Sequence, residues 1–200
     1  MEIRKPKAMH DFENVISGSD VVTSKKLYKD AASFYKQKDP AMSKDTLMYE
    51  VYQYTGGKLY SKDVLCTQNK DKAGDLNWGL TVLYPVTVMQ ECNMTRGHWH
   101  ENQACAEFYL GVEGTGLLML MDHDGTTWCE EICKGSLHYI DGTLAHRLIN
   151  TGDTVCKVAA CWPKDAGHDY AAVEKQPFGY RVMKQHGELK IEKVEETYEK

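Results

Sequence analysis

The chain has 200 residues, 42% of them hydrophobic and 26% charged, with a formal net charge of −5. That length suits one domain with a real core, and the composition is ordinary for a soluble globular protein. The mild acidity excludes the basic stripe of a nucleic-acid binder, no apolar run is long enough to cross a membrane, and Met1-Glu2-Ile3-Arg4-Lys5-Pro6 lacks the apolar stretch of a secretion signal. Seven cysteines, an odd number with no Cys-x-x-Cys, are expected as free thiols in a reducing cytoplasm. Cys129-x-x-x-Cys133 has no second half with which to build a zinc site.

Residues 1–45 are polar and weakly patterned and are expected as an N-terminal extension. Within it, Leu27, Tyr28, Ala31, Ala32, Phe34 and Tyr35 recur at helical spacing, which predicts a short helix over Ser24–Lys36 before Asp39-Pro40 breaks it. Strand signals then fill residues 46–175. Leu47–Tyr54 leads into a Gly56-Gly57 turn, and Asp75–Gln90 reads as two strands bent at Pro85. Thr95–His100, Ala104–Val112 and Gly116–Met121 follow, and Asp124-Gly125 closes a hairpin onto Thr127–Cys133. Leu137–Ile140, Ala145–Asn150 and Val155–Trp162 complete the series. Residues 176–200 are expected to pack on this body, with a hairpin over Val182–Val194 turning at Gln185-His186-Gly187 and a frayed Glu/Lys-rich end. Many short strands at regular spacing mean an all-β sandwich or barrel.

Chemistry concentrates between residues 95 and 107. Side chains alternate faces along an extended chain, so His98 and His100 aim at one point. Imidazole is the commonest metal ligand, and the Glu107 carboxylate and His146 add to the set. By the same alternation Trp99 faces away from the ligands into the packing, and Arg147 points opposite His146 and is expected to be structural. Tyr109 shares a face with Glu107. His10, His123, His138 and His186 belong to no pattern and are expected to be structural or exposed.

These two ligand segments resemble the motifs of the cupin superfamily. His98, His100, Glu107 and Gly114 match the first motif, with six residues between the second His and Glu where three or four are usual. Gly135, His146 and Asn150 match the second, with Asp141 and Thr143 in place of its Pro and second Gly. The flanks go further. Met48-Tyr49-Glu50-Val51-Tyr52, Gly74-Asp75-Leu76-Asn77, Thr81-Val82-Leu83-Tyr84-Pro85, Thr95-Arg96-Gly97-His98-Trp99-His100, Ala106-Glu107-Phe108-Tyr109, Ala145-His146-Arg147 and Asp165-Ala166-Gly167-His168-Asp169-Tyr170 occur in that order. Together they are similar to the cupin-type phosphoglucose isomerases of archaea and some bacteria, over about residues 45–175.

The resemblance implies an all-β cupin jelly-roll barrel that binds one divalent transition metal through His98, His100, Glu107 and His146. Iron or manganese is implied first; nickel and zinc suit the same donors. It implies interconversion of glucose 6-phosphate and fructose 6-phosphate, with the phosphate among Tyr49, Thr81, Thr95, the Gly97 N–H and Tyr170. Tyr109 would face the same cavity, and His168 would touch the sugar and aid ring opening. Glu107 is either a ligand only or also the base that moves the proton; a hydride shift between C1 and C2 stays open. Another metal-dependent cupin enzyme, a dioxygenase or a different sugar-phosphate isomerase, and a non-enzymatic sugar-binding cupin are the alternatives. A homodimer is expected because cupins pair through sheet edges.

Overall fold

The computed structural model describes residue 6 and residues 8–55 and 74–194. The expected Gly56-Gly57 turn and Cys66 lie outside these residues. The chain opens with a two-stranded ribbon, β1 (Ala8–His10) and β2 (Ile16–Gly18), and continues through β3 (Val21–Leu27) into a single helical turn, α1 (Tyr28–Ala31), extended by a 3₁₀ turn over Ala32–Phe34. Then come β4 (Leu47–Tyr54), β5 (Leu76–Leu83), β6 (Thr87–Val88) and β7 (Glu91–Cys92). After the histidine segment follow β8 (Glu107–Glu113), β9 (Gly116–Met121), β10 (Thr127–Ile132), β11 (Leu137–Ile140), β12 (Ala145–Asn150) and β13 (Cys156–Pro163). A short helix, α2 (Tyr170–Lys175), and the hairpin β14 (Tyr180–Gln185) and β15 (Glu188–Lys193) close the described chain.

The strands form an antiparallel jelly-roll. Six of them lie in the order β11-β8-β13-β5-β4-β3, and three in the order β10-β9-β12. Alternation decides which side chains meet between these sheets. From β4, β5, β8 and β13 come Tyr49, Leu83, Tyr109 and Val158; from β9 and β12 come Leu118, Leu120 and Leu148, all in one buried cluster. The back of the short sheet is covered too. Arg147 lies opposite Met119 there and stacks on Phe178, beside Val173 and Val182. A four-stranded sheet in the order β15-β14-β7-β6 extends this side. On the outer face of the six-stranded sheet, the β1–β2 ribbon lays Ile16 over Leu80, Val82, Val112 and Ala159.

Two expected elements are corrected. The helix over Ser24–Lys36 is shorter than expected, because Ser24–Leu27 continue β3, which pairs along the free edge of β4. Val21, Val22 and Thr23 are β-branched and start that strand, and sheet pairing then outweighs helical spacing. The later apolar residues behave as the spacing requires, with Tyr28, Ala31 and Tyr35 buried. Thr95–His100 is extended but is not a regular strand: its pairing is limited to isolated bridges, Met94 to Ile149, His98 to His146 and Trp99 to Asp169. Gly97, at φ +78°, breaks the ladder. β1, β2 and α2 were not foreseen. α2 is set by Asp169, whose side chain accepts the Ala172 N–H. The C-terminal hairpin turns at His186 and Gly187, at φ 53° and 83°, the left-handed pair of a tight primed turn.

Candidate active site

Three separate segments bring four donors together inside the jelly-roll. The ligand atoms of His98, His100, Glu107 and His146 all lie within 4.8 Å of one another. His146 comes from β12, and its main chain bridges that of His98, so these two imidazoles are neighbours by backbone pairing, with ring centroids 4.4 Å apart. Glu107 opens β8 and reaches in from the facing sheet. Its Oε2 is 3.3 Å from His100 Nε2 and 3.3 Å from His146 Nε2.

The hydrogen bonds around these groups fix what they can do. His100 Nδ1 lies 2.7 Å from the Cys105 carbonyl, which accepts its proton. Nε2 therefore turns toward the Glu107 carboxylate, where two lone pairs would face each other unless a proton or a cation lies between them. Buried Nε2 atoms of His98 and His146 have no hydrogen-bond partner, although the His146 atom is close to Glu107. Burial, with three neighbouring histidines adding to it, holds His98 well below the usual imidazole range, so it offers a lone pair. Burial works to raise the Glu107 carboxyl, but His100 and His146 more than offset it, and Glu107 titrates below the ordinary carboxylate range. A neutral His98, an ionised Glu107 and orphaned buried nitrogens aimed at one point fit a single divalent cation.

Above these donors opens a cavity lined by Tyr49, Thr81, Thr95, Gly97, His98, Glu107, Tyr109, His146, His168 and Tyr170 among others. His100 sits behind this wall, with the cluster. Thr95 is held at both ends: its N–H donates to the Leu148 carbonyl at 2.9 Å, and its Oγ1 accepts the Leu148 N–H at 3.0 Å. Its hydroxyl proton remains to donate. Gly97 is required twice over. Its positive φ disfavours any side chain, and a Cβ would stand 2.8 Å from the Phe178 ring and 3.1 Å from Arg147 Nε. Gly79, on β5, leaves room for the Trp162 ring, which a Cβ would meet at 2.8 Å. Burial raises Tyr49 and, further, Tyr109, so both stay protonated donors. His168 packs 4.3 Å from the His98 ring and stacks on Tyr170; burial pushes it down to about 4, so it is neutral near pH 7.

Trp99 points away as expected, buried and stacked 4.2 Å from His123. Arg147 lies under the Thr95–Gly97 segment, donating through Nη2 to the Arg96 carbonyl at 2.8 Å. The reading of the sequence missed Gln53, Trp162 and Arg96 in the lining. Gln53 shares a strand face with Tyr49, so alternation along β4 would have found it; Arg96 stands before Gly97, where the chain leaves regular alternation, and spacing did not mark it.

A model of the family described as glucose-6-phosphate isomerase (GPI) matches residues 25–200. The glucose-6-phosphate isomerase of Thermococcus kodakarensis is 33% identical over 150 residues, 75% of this chain and 72% of that one. That of Pyrococcus horikoshii is 34% identical over 74% of this chain and 71% of its own. For Thermococcus litoralis the figures are 35%, 74% and 70%. Among solved structures, oxalate decarboxylase from Bacillus subtilis aligns with 60% of this chain and 26% of its own at 19% identity and a TM-score of 0.42, a distant likeness.

Proposed function

The chain belongs to the glucose-6-phosphate isomerase family, and on that premise we propose that it interconverts glucose 6-phosphate and fructose 6-phosphate in the cavity above His98, His100, Glu107 and His146. The observation that carries this reading is the convergence of those four donors at the foot of a cavity whose lining includes the hydroxyl-bearing Tyr49, Thr81, Thr95, Tyr109 and Tyr170.

Aldose–ketose isomerisation moves one proton between C1 and C2 and another between O1 and O2. A divalent transition metal held by His98, His100, Glu107 and His146, iron or manganese on family grounds with nickel and zinc as further candidates, would supply Lewis-acid polarisation of the two sugar oxygens. Glu107 takes the proton from C2 of the aldose and returns it to C1. Both imidazole contacts fall on its Oε2, which leaves Oε1 as the oxygen for the proton. Tyr49, Thr81, Thr95, Tyr170 and the Gly97 N–H hold the phosphate, and their orientation carries C1 and C2 down to Glu107. Tyr109, two residues along the same face of β8, donates toward the sugar. Neutral His168 contacts the sugar hydroxyls or ring oxygen and shuttles the proton that ring opening requires.

The reading places the enzyme in the cytoplasm, supported by the free thiols of Cys92, Cys105, Cys129, Cys133, Cys156 and Cys161. It also places it in a homodimer. Phe108, Leu137 and Tyr139 are exposed together beside β11, which ends its sheet, and an apolar sheet edge suits a second copy of itself. A monomer mass in sedimentation would remove the dimer.

The reaction is tested by incubating the purified protein with fructose 6-phosphate and following glucose 6-phosphate, with and without added metals. Conversion with no nucleotide or redox cofactor, lost on chelation, is expected. Equal rates with unphosphorylated fructose would show that the cavity wall does not hold a phosphate. Substrate-dependent oxygen uptake would move the protein to the dioxygenases.

A further inference from the structure

The phosphate set named above consists of hydroxyls and one amide, all neutral, yet the group it must hold carries close to two negative charges. Among the described residues that line the cavity, Arg96 is the one lysine or arginine. Resting on the functional reading above, we propose that Arg96 is the residue that selects for the phosphate, and that Glu174 is its resting counter-ion, given up when the phosphate enters.

The Arg96 backbone is fixed, while its side chain stays partly exposed. The Arg96 carbonyl accepts from half-buried Arg147, and the neighbouring Thr95 is tied to Leu148 on both sides. The guanidinium then crosses the face of Tyr170, 4.6 Å from the ring centroid, and its Nη2 meets Glu174 Oε1. Tyr170 and Glu174 are four residues apart on α2 and so share one side of that helix. One short element therefore presents both an aromatic rest and a carboxylate to the same cation.

Solvent access decides which partner Arg96 keeps. The Arg96 and Glu174 side chains are 35% and 66% exposed, so water and salt weaken their pairing. A phosphate inside the cavity is better shielded. It also matches the planar fork of the guanidinium with two oxygens, which strengthens the bond. Moving across the Tyr170 face lets the cation keep its aromatic contact during the exchange. An unphosphorylated sugar brings no anion to displace Glu174, so the ion pair works as a selector against it. The competing explanation is a surface clamp in which Glu174 merely anchors α2.

The test compares the metal-loaded wild type with Arg96→Ala, Arg96→Lys and Glu174→Gln. Inorganic phosphate binding is measured by calorimetry, and kinetics with fructose 6-phosphate and with fructose. Arg96→Ala should weaken phosphate binding and raise the KM for fructose 6-phosphate about ten- to a hundredfold, the value of a hydrogen bond to a charged group. The larger part of the loss should fall on KM rather than kcat, and preference for fructose 6-phosphate over fructose should fall by a similar factor. Arg96→Lys should restore part of the loss. Glu174→Gln should tighten phosphate by up to about fivefold, the value of an exposed ion pair. Unchanged phosphate affinity in Arg96→Ala would overturn the assignment. A Glu174→Gln variant that binds phosphate as poorly as Arg96→Ala would overturn the exchange and leave the clamp. Calorimetry reads Arg96 without turnover, so a wild type that binds phosphate through Arg96 but does not isomerise would count against the reaction and not against this role.

Discussion

Glu107 lies within reach of two imidazoles through one oxygen, and that asymmetry separates its two roles. As a ligand only, it could be replaced by Gln with the amide oxygen still coordinating. As the base, it could not, because an amide does not take up the proton. General-base contributions are typically about 10²- to 10⁴-fold. Glu107→Gln, reloaded until its metal content equals that of the wild type, is therefore expected to lose at least about a hundredfold in kcat. Solvent deuterium should appear at C2 of glucose 6-phosphate recovered from the wild type, because a carboxylate that lifts a proton can exchange it with water. A metal-replete Gln variant near the wild-type rate, together with no deuterium in the wild-type product, would leave Glu107 as a ligand and favour a hydride shift. His146→Ala removes one of the four donors outright and should sharply reduce metal content measured by elemental analysis.

Among the elements, the C-terminal hairpin is joined to the body by its pairing with β7 and by one buried carboxylate on that strand. Glu91, on β7, is 1% exposed in its side chain and receives Arg181 Nη1 from β14 at 2.7 Å and the Lys36 N–H at 2.7 Å. Arg181 also donates to the Phe34 carbonyl, and Lys36 pairs with Glu192 of β15, so both contacts join the hairpin to the turn after α1. Removing one partner of a buried ion pair leaves the other charge uncompensated and costs about 3–5 kcal/mol. Since Arg181 keeps a quarter of its side chain in water, the lower end of that range applies. Arg181→Ala should lower stability by about 3 kcal/mol in urea unfolding, and a change below about 1 kcal/mol would show that pairing with β7 and the packing of Val182 hold the hairpin without the ion pair. The elements legible in the sequence were those whose pattern and pairing agree, such as Leu47–Tyr54 and Gly116–Met121. Ser24–Leu27 failed because the open edge of β4 offered hydrogen bonds that local spacing does not record. α2 is too short to show a period.

At the scale of the whole molecule, the donors come from both packed sheets and from the irregular segment bridged to β12. A cation held there binds the folded chain and not the unfolded one, so it stabilises the entire jelly-roll by mass action. At a free concentration 100 times its dissociation constant the gain is about 2.7 kcal/mol. Chelation should therefore lower the melting temperature along with activity, and re-adding one equivalent of metal per chain should restore both. A melting temperature unmoved by chelation, in protein whose metal has been shown to leave, would mean that apolar packing alone holds the four donors in place.

By itself the sequence determined the all-β class, the order of the main strands and the convergence of His98 with His100, because alternation along an extended chain is a local rule. It also determined that Trp99 and Arg147 face away from the ligands, by the same rule. Only the tertiary structure decided that Arg147 lies under the Thr95–Gly97 segment, that Glu174 meets Arg96 at the mouth of the cavity, and that Glu91 fastens the C-terminal hairpin. These pairs are separated by some 50 to 90 positions in the chain. Long-range contacts of that kind depend on which sheet edges are open and how the layers cross, and no local spacing encodes them.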